Sequence, residues 1–76
     1  MNIKLPRIAA TDAIKVLGKI GFFLVRKSGS HEIYKNKRGK RITIPYHRKK
    51  VLHPKILKSI LIDSGLSIDE FNKLLK

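Results

Sequence analysis

Glycines at positions 21, 29 and 39 and a proline at position 54 punctuate the middle of this 76-residue chain, and between them there is room only for short extended segments. Residues 22–27, FFLVRK, are rich in strand formers, and residues 31–36 and 40–45 read the same way. The tetrapeptide NKRG at 36–39 supplies the turn between the second and third segments. Three antiparallel strands are therefore expected at the centre of the chain.

Helices are expected on either side. Thr11 fits a cap and Asp12 the first turn of a helix, Ala13, Val16, Leu17 and Ile20 form an apolar stripe at helical spacing, and Gly21 stops it. Pro54 suits the first position of a second helix, whose stripe is Ile56, Leu57, Ile60 and Leu61 and whose end is Gly65. Ser67 and Glu70 have the capping-box spacing of a third, short helix, with Leu66, Phe71, Leu74 and Leu75 as its apolar contacts. The expected class is α+β: helix, three-stranded antiparallel sheet, helix and short C-terminal helix, with the helices stacked on one sheet face so that the stripes bury each other. No linker, low-complexity tract or repeat divides residues 1–76, so a single domain with a small core is expected.

Charge narrows the function. Eighteen Lys and Arg against five Asp and Glu give a net charge of +13, which points to a polyanionic partner. Residues 26–50 hold Arg26, Lys27, Lys35, Lys37, Arg38, Lys40, Arg41, Arg48, Lys49 and Lys50 against the single acid Glu32, so this third carries +9 of the +13. Because the cluster lies on strands and loops rather than on a basic amphipathic helix, a membrane surface is not the expected target. No apolar run approaches the ~20 residues of a bilayer span, no secretory h-region follows the initiator Met, and there is no cysteine; a soluble cytoplasmic protein is expected. Nothing in the sequence signals self-association, and a free monomer is expected.

The same residues exclude several chemistries. Of the five acids, Asp12, Asp69 and Glu70 belong to helix starts, which leaves no carboxylate cluster for magnesium. His31, His47 and His53 have neither thiol partners nor regular ligand spacing, so no metal site and no cofactor are expected. Neither a Walker-type phosphate loop nor a Gly-x-Ser-x-Gly elbow is present. What remains is acid–base chemistry on a ligand drawn in by positive charge. RNA carries its own nucleophile, the 2′-hydroxyl, so its cleavage needs in-line positioning, a base that titrates near neutrality and cations beside the phosphate. His31 is the candidate base, the other reading being a strand histidine that is structural or merely exposed, and Lys27, Lys35, Lys37, Arg38, Lys40, Arg41, Arg48, Lys49 and Lys50 are the candidate RNA contacts.

The chain also resembles a known family. GF at 21–22, GSHEIY at 29–34, RGKRITIPYH at 38–47, the helix-opening Pro54 and LKSILIDSGLSIDEF at 57–71 stand in the order and spacing of the HicA (YcfA-like) toxins, a likeness covering about residue 10 to the end. The resemblance implies a fold similar to the double-stranded RNA-binding domain and an mRNA interferase that blocks translation until a HicB-type antitoxin covers its active site. It assigns the active histidine to His31, with Gly29 and Ser30 completing the motif, and a P-x-H element to Pro45, Tyr46 and His47. His47 is either a second group at the RNA or a hydrogen-bonding structural residue; for His53, beside Pro54, helix capping or plain exposure is expected. Two other classes fit the charge: a non-catalytic RNA-binding module of the same fold, and an adaptor whose basic face meets an acidic protein.

Alternation along the second strand leaves one choice open. His31, Ile33 and Lys35 share one face, and Glu32, Tyr34 and Asn36 the other. If Ile33 is core, His31 faces the helices; if Tyr34 is core, His31 faces outward.

Overall fold

A computed structural model describes residues 5, 7–46 and 51–75. Its elements are α1 (Ala10–Lys19), β1 (Phe23–Ser28), β2 (His31–Lys35), β3 (Arg41–Pro45), α2 (Pro54–Ser64) and α3 (Ile68–Leu74). The strands form one antiparallel sheet in the order β1-β2-β3. This helix–sheet–helix topology is that of the double-stranded-RNA-binding-domain-like class, as the sequence leads one to expect.

The helix ends follow local chemistry in most places. At the end of α1 the Phe22 N–H donates to the Leu17 carbonyl at 2.9 Å and the Gly21 N–H to the Gly18 carbonyl at 3.3 Å, a Schellman arrangement in which Gly21 takes φ +94°. Phe22, the next residue, is buried and anchors the exit into β1. Ser67 and Glu70 form the expected reciprocal box at the start of α3: the Glu70 N–H donates to Ser67 Oγ at 3.1 Å and the Ser67 N–H to Glu70 Oε1 at 3.0 Å. The Ser67 backbone N–H first, and then the Ser67 hydroxyl, hold the Glu70 carboxyl below its ordinary pKa.

The start of α1 departs from expectation. Its N-cap is Ala9, not Thr11, and Asp12 reaches back so that its Oδ2 accepts the Ala9 N–H at 3.2 Å. The reason is tertiary. Ala9 is extended and bridges Val51, and the Leu52 N–H donates to the Ile8 carbonyl at 2.8 Å, so pairing with the segment before α2 fixes where the helix begins.

All three helices lie on one side of the sheet. Ala13, Val16 and Leu17 of α1, Leu57 and Ile60 of α2 and Phe71 of α3 are almost fully buried with Ile42 and Ile44 of β3. Each such Leu, Ile or Phe contributes roughly 1.5–3 kcal/mol relative to exposure, and together they form the one core that a domain of this size can build.

Candidate nucleic-acid interface

Packing decides which way β2 faces. Tyr34 is 6% exposed and Glu32 is also 6% exposed, level with Ile42 and Ile44, so this set faces the helices. His31 and Lys35 are exposed and Ile33 is half-buried on the opposite side. The outward alternative is the one realised: His31 stands on the open face of the sheet.

The turn before it explains its position at the strand's first residue. Gly29 and Ser30 form a two-residue connection closed by the Ser28 and His31 pair, and Gly29 takes φ +58°. Tight hairpins whose twist matches the strands need a positive φ at the first turn residue. Open space surrounds the site of a Gly29 Cβ, so the demand for glycine is conformational rather than steric. On the other side the Tyr46 N–H donates to the Ser30 carbonyl, which ties the turn to the end of β3.

Across β2 the pairs are Ser28, His31 and Pro45 in one row, Arg26, Ile33 and Thr43 in the next, and Phe23, Lys35 and Arg41 in the last. These residues make up the open face. Between Leu24, which pairs with Tyr34, and Arg26, which pairs with Ile33, Val25 has no partner and forms a β-bulge. Beyond the bulge the alternation of β1 is reversed, so Lys27 falls opposite Glu32, on the helix side. Its Nζ lies 3.5 Å from Glu32 Oε2, while Tyr34 Oη donates to Glu32 Oε1 at 2.6 Å. Burial, and then this bond to a carboxylate, push the Tyr34 phenol well above the ordinary tyrosine range.

The two described histidines are used differently. His53 is the N-cap of α2, and its Nδ1 accepts the Lys55 N–H at 3.1 Å. No hydrogen bond or ion pair within the described residues engages the His31 ring. Lys35 and Arg41 share the open face with His31 but sit four residues along β2, on the order of 13 Å away at about 3.3 Å per residue. Lys37, Arg38 and Lys40 are farther still, in the β2–β3 turn, where Asn36 Oδ1 accepts the Arg38 and Lys40 N–H groups at 3.0 and 2.9 Å. His47, Arg48, Lys49 and Lys50 lie outside the described residues. Two open-face side chains are not among the RNA contacts expected from sequence: Phe23, 51% exposed, and Arg26, which the sequence places only in the basic cluster. A strand parity that switches at an unpaired Val25 would have been needed to pick out the second.

Among the described residues no three His, Cys, Asp or Glu side chains gather as a metal site, and no helix is long and apolar enough to cross a membrane. The arrangement thus defines a strongly basic α+β domain of double-stranded-RNA-binding-domain-like topology with one sheet face left open. A family model described as the HicA toxin of bacterial toxin–antitoxin matches residues 10–66, three quarters of the chain, and the protein belongs to that family. A search of curated proteins finds no match. The family region spans α1 to α2, including the whole open face, and stops before α3.

Proposed function

We propose that the protein is a toxin of the mRNA-interferase kind, an endoribonuclease that cleaves messenger RNA laid across the open face of the sheet. Membership in the HicA toxin family supports the toxin role, and the exposed His31, whose ring no other described residue engages, on the basic face of the sheet away from the helices is the observation that carries the chemistry. His31 takes the proton of the RNA 2′-hydroxyl. The oxygen attacks the adjacent phosphorus, the bond from phosphorus to the 5′-oxygen breaks, and that oxygen is protonated as it leaves, giving a 2′,3′-cyclic phosphate and a free 5′-hydroxyl. A positioned general base supplies roughly 10²–10⁴-fold.

The far end of the face suits the flanking nucleotides. Phe23 offers an exposed ring beside Lys35, in the row that continues to Arg41, and stacking of one base on an aromatic side chain contributes about 1–3 kcal/mol without regard to sequence. Lys37, Arg38 and Lys40 extend the cationic track beyond the ends of β2 and β3, and Arg48, Lys49 and Lys50, which lie outside the described residues, are further RNA contacts in this reading. A message is translated in the cytoplasm, where such a toxin acts. An antitoxin of the HicB type silences it by covering the open face, with acidic groups answering the basic ones.

Comparison of wild type with His31→Ala tests this reading, using purified proteins, a short RNA and EDTA, with contaminating nuclease controlled for. Cleavage by wild type, lowered at least 10²-fold in the variant with RNA binding retained, is expected. Equal cleavage by both would remove His31 from the mechanism. Binding without cleavage by either would make the chain a non-catalytic RNA-binding module.

A further inference from the structure

Two neighbouring cations, Arg26 and Lys27, are separated by the bulge at Val25 onto opposite faces of the sheet. In a regular ladder continued from Leu24 and Tyr34, Val25 would oppose Ile33, Arg26 would oppose Glu32, and Lys27 would stand directly across from His31. The observed register gives each a different neighbour: Arg26 opposes Ile33, Lys27 opposes Glu32 and Ser28 opposes His31. The extra residue turns a guanidinium onto the His31 face and an ammonium away from it.

Arg26 is thereby the diagonal cross-strand neighbour of His31. Such pairs lie about 7–8 Å apart at the backbone, within reach of a long side chain and wide enough for a group to sit between the two. Among the described residues Arg26 is the one cationic side chain in the two rows of the open face nearest His31, since Lys35 and Arg41 occupy the far row. Lys27 is engaged by a buried carboxylate on the other side. Arginine also suits the task better than lysine, because its planar fork can bind two phosphate oxygens at once and keeps its charge at any working pH. Bulges commonly re-aim a side chain beside an active site.

We propose that Arg26 holds the scissile phosphate beside His31 and stabilises the charge that develops on it, and that the bulge at Val25 is the device that puts Arg26 there. This rests on the ribonuclease reading above and names the residue that completes its site. The alternative for an exposed arginine on an edge strand is a purely protective charge that discourages edge-to-edge pairing. A protective role needs no guanidinium and no particular face.

Single-turnover cleavage and equilibrium binding of a short RNA by wild type, Arg26→Gln, Arg26→Lys and the double variant Arg26→Gln/Lys27→Arg separate these. Loss of one donor to a developing oxyanion costs about 10²–10³-fold in rate. Arg26→Gln is expected to lower the cleavage rate at saturating RNA by that factor while weakening binding only several-fold, and Arg26→Lys to fall between. The double variant restores a guanidinium one residue along, on the wrong face, and is expected to cleave no faster than Arg26→Gln. Recovery in the double variant would show that charge alone matters and would overturn the proposal, as would cleavage by Arg26→Gln within threefold of wild type. Absence of cleavage by wild type itself would overturn the ribonuclease reading and this proposal with it.

Discussion

The two faces of the sheet are built from alternate residues of the same strands, yet they treat polar groups in opposite ways. On the helix side Glu32 is buried, but Tyr34 donates to one of its oxygens and Lys27 approaches the other, and Ile42 and Ile44 close over the rest of the face. On the open side His31, Arg26, Thr43, Lys35 and Arg41 are exposed, and no intramolecular hydrogen bond is made by the His31 ring among the described residues. A buried carboxylate without partners would be costly, so the helix side satisfies its polar groups internally. Among the described residues the open side shows no such internal pairing around His31.

Stability should divide along the same line. Ile44 and Thr43 are adjacent in β3 but face opposite ways. Ile44→Ala is expected to cost roughly 2–5 kcal/mol in urea unfolding, because the cavity it leaves lies in a core with little to spare. Thr43→Ala is expected to stay within about 0.5 kcal/mol. Similar losses for the two would mean that both faces are packed.

A smaller effect probes the polar group of the helix side. Tyr34→Phe removes the donor to buried Glu32 and is expected to cost about 1–3 kcal/mol at neutral pH. Its pH dependence has a fixed sign. The folded protein holds the Tyr34 proton more tightly than the unfolded chain, so this contribution is complete below about pH 10, the ordinary tyrosine value, and is lost as the pH rises above it. The difference in stability between wild type and Tyr34→Phe should therefore shrink from about pH 10 upward. A difference that grew there would place the phenol outside the bond to Glu32.

Sequence carried much of this architecture because several boundaries rest on local chemistry. Gly21 and Pro54 end and begin helices through backbone effects that need no partner, and Ser67 with Glu70 makes a box within four residues. Gly29, Ser30 and His31 were legible for the same reason: a two-residue hairpin demands its glycine where it stands. Other features depend on residues distant in the chain. The start of α1 moved from Thr11 to Ala9 because Ala9 pairs with Val51, a contact no local propensity encodes. The facing of β2 could not be read from Ile33 and Tyr34, two adjacent apolar residues either of which could be core; the bond from the Tyr34 hydroxyl to buried Glu32 and the packing of Ile42 and Ile44 decided it. The bulge left no mark at all, since FFLVRK contains strand formers throughout and nothing singles out Val25. Lys27 therefore read as a neighbour of His31 in sequence, while Arg26 is the one on its face.

The methyl groups of β2 and β3 offer the most direct test of the division between faces. Ile33 and Thr43 point one way, Ile42 and Ile44 the other, and all four can be followed by NMR while a short RNA with methylated 2′-hydroxyls, which cannot supply the attacking group, is added. If RNA lies on the open face, the Ile33 and Thr43 methyl signals move with saturation and those of Ile42 and Ile44 stay in place. If RNA binds through the helix side, the buried pair or the helix methyls move while Ile33 and Thr43 do not, and the assignment of the open face as the working surface is wrong.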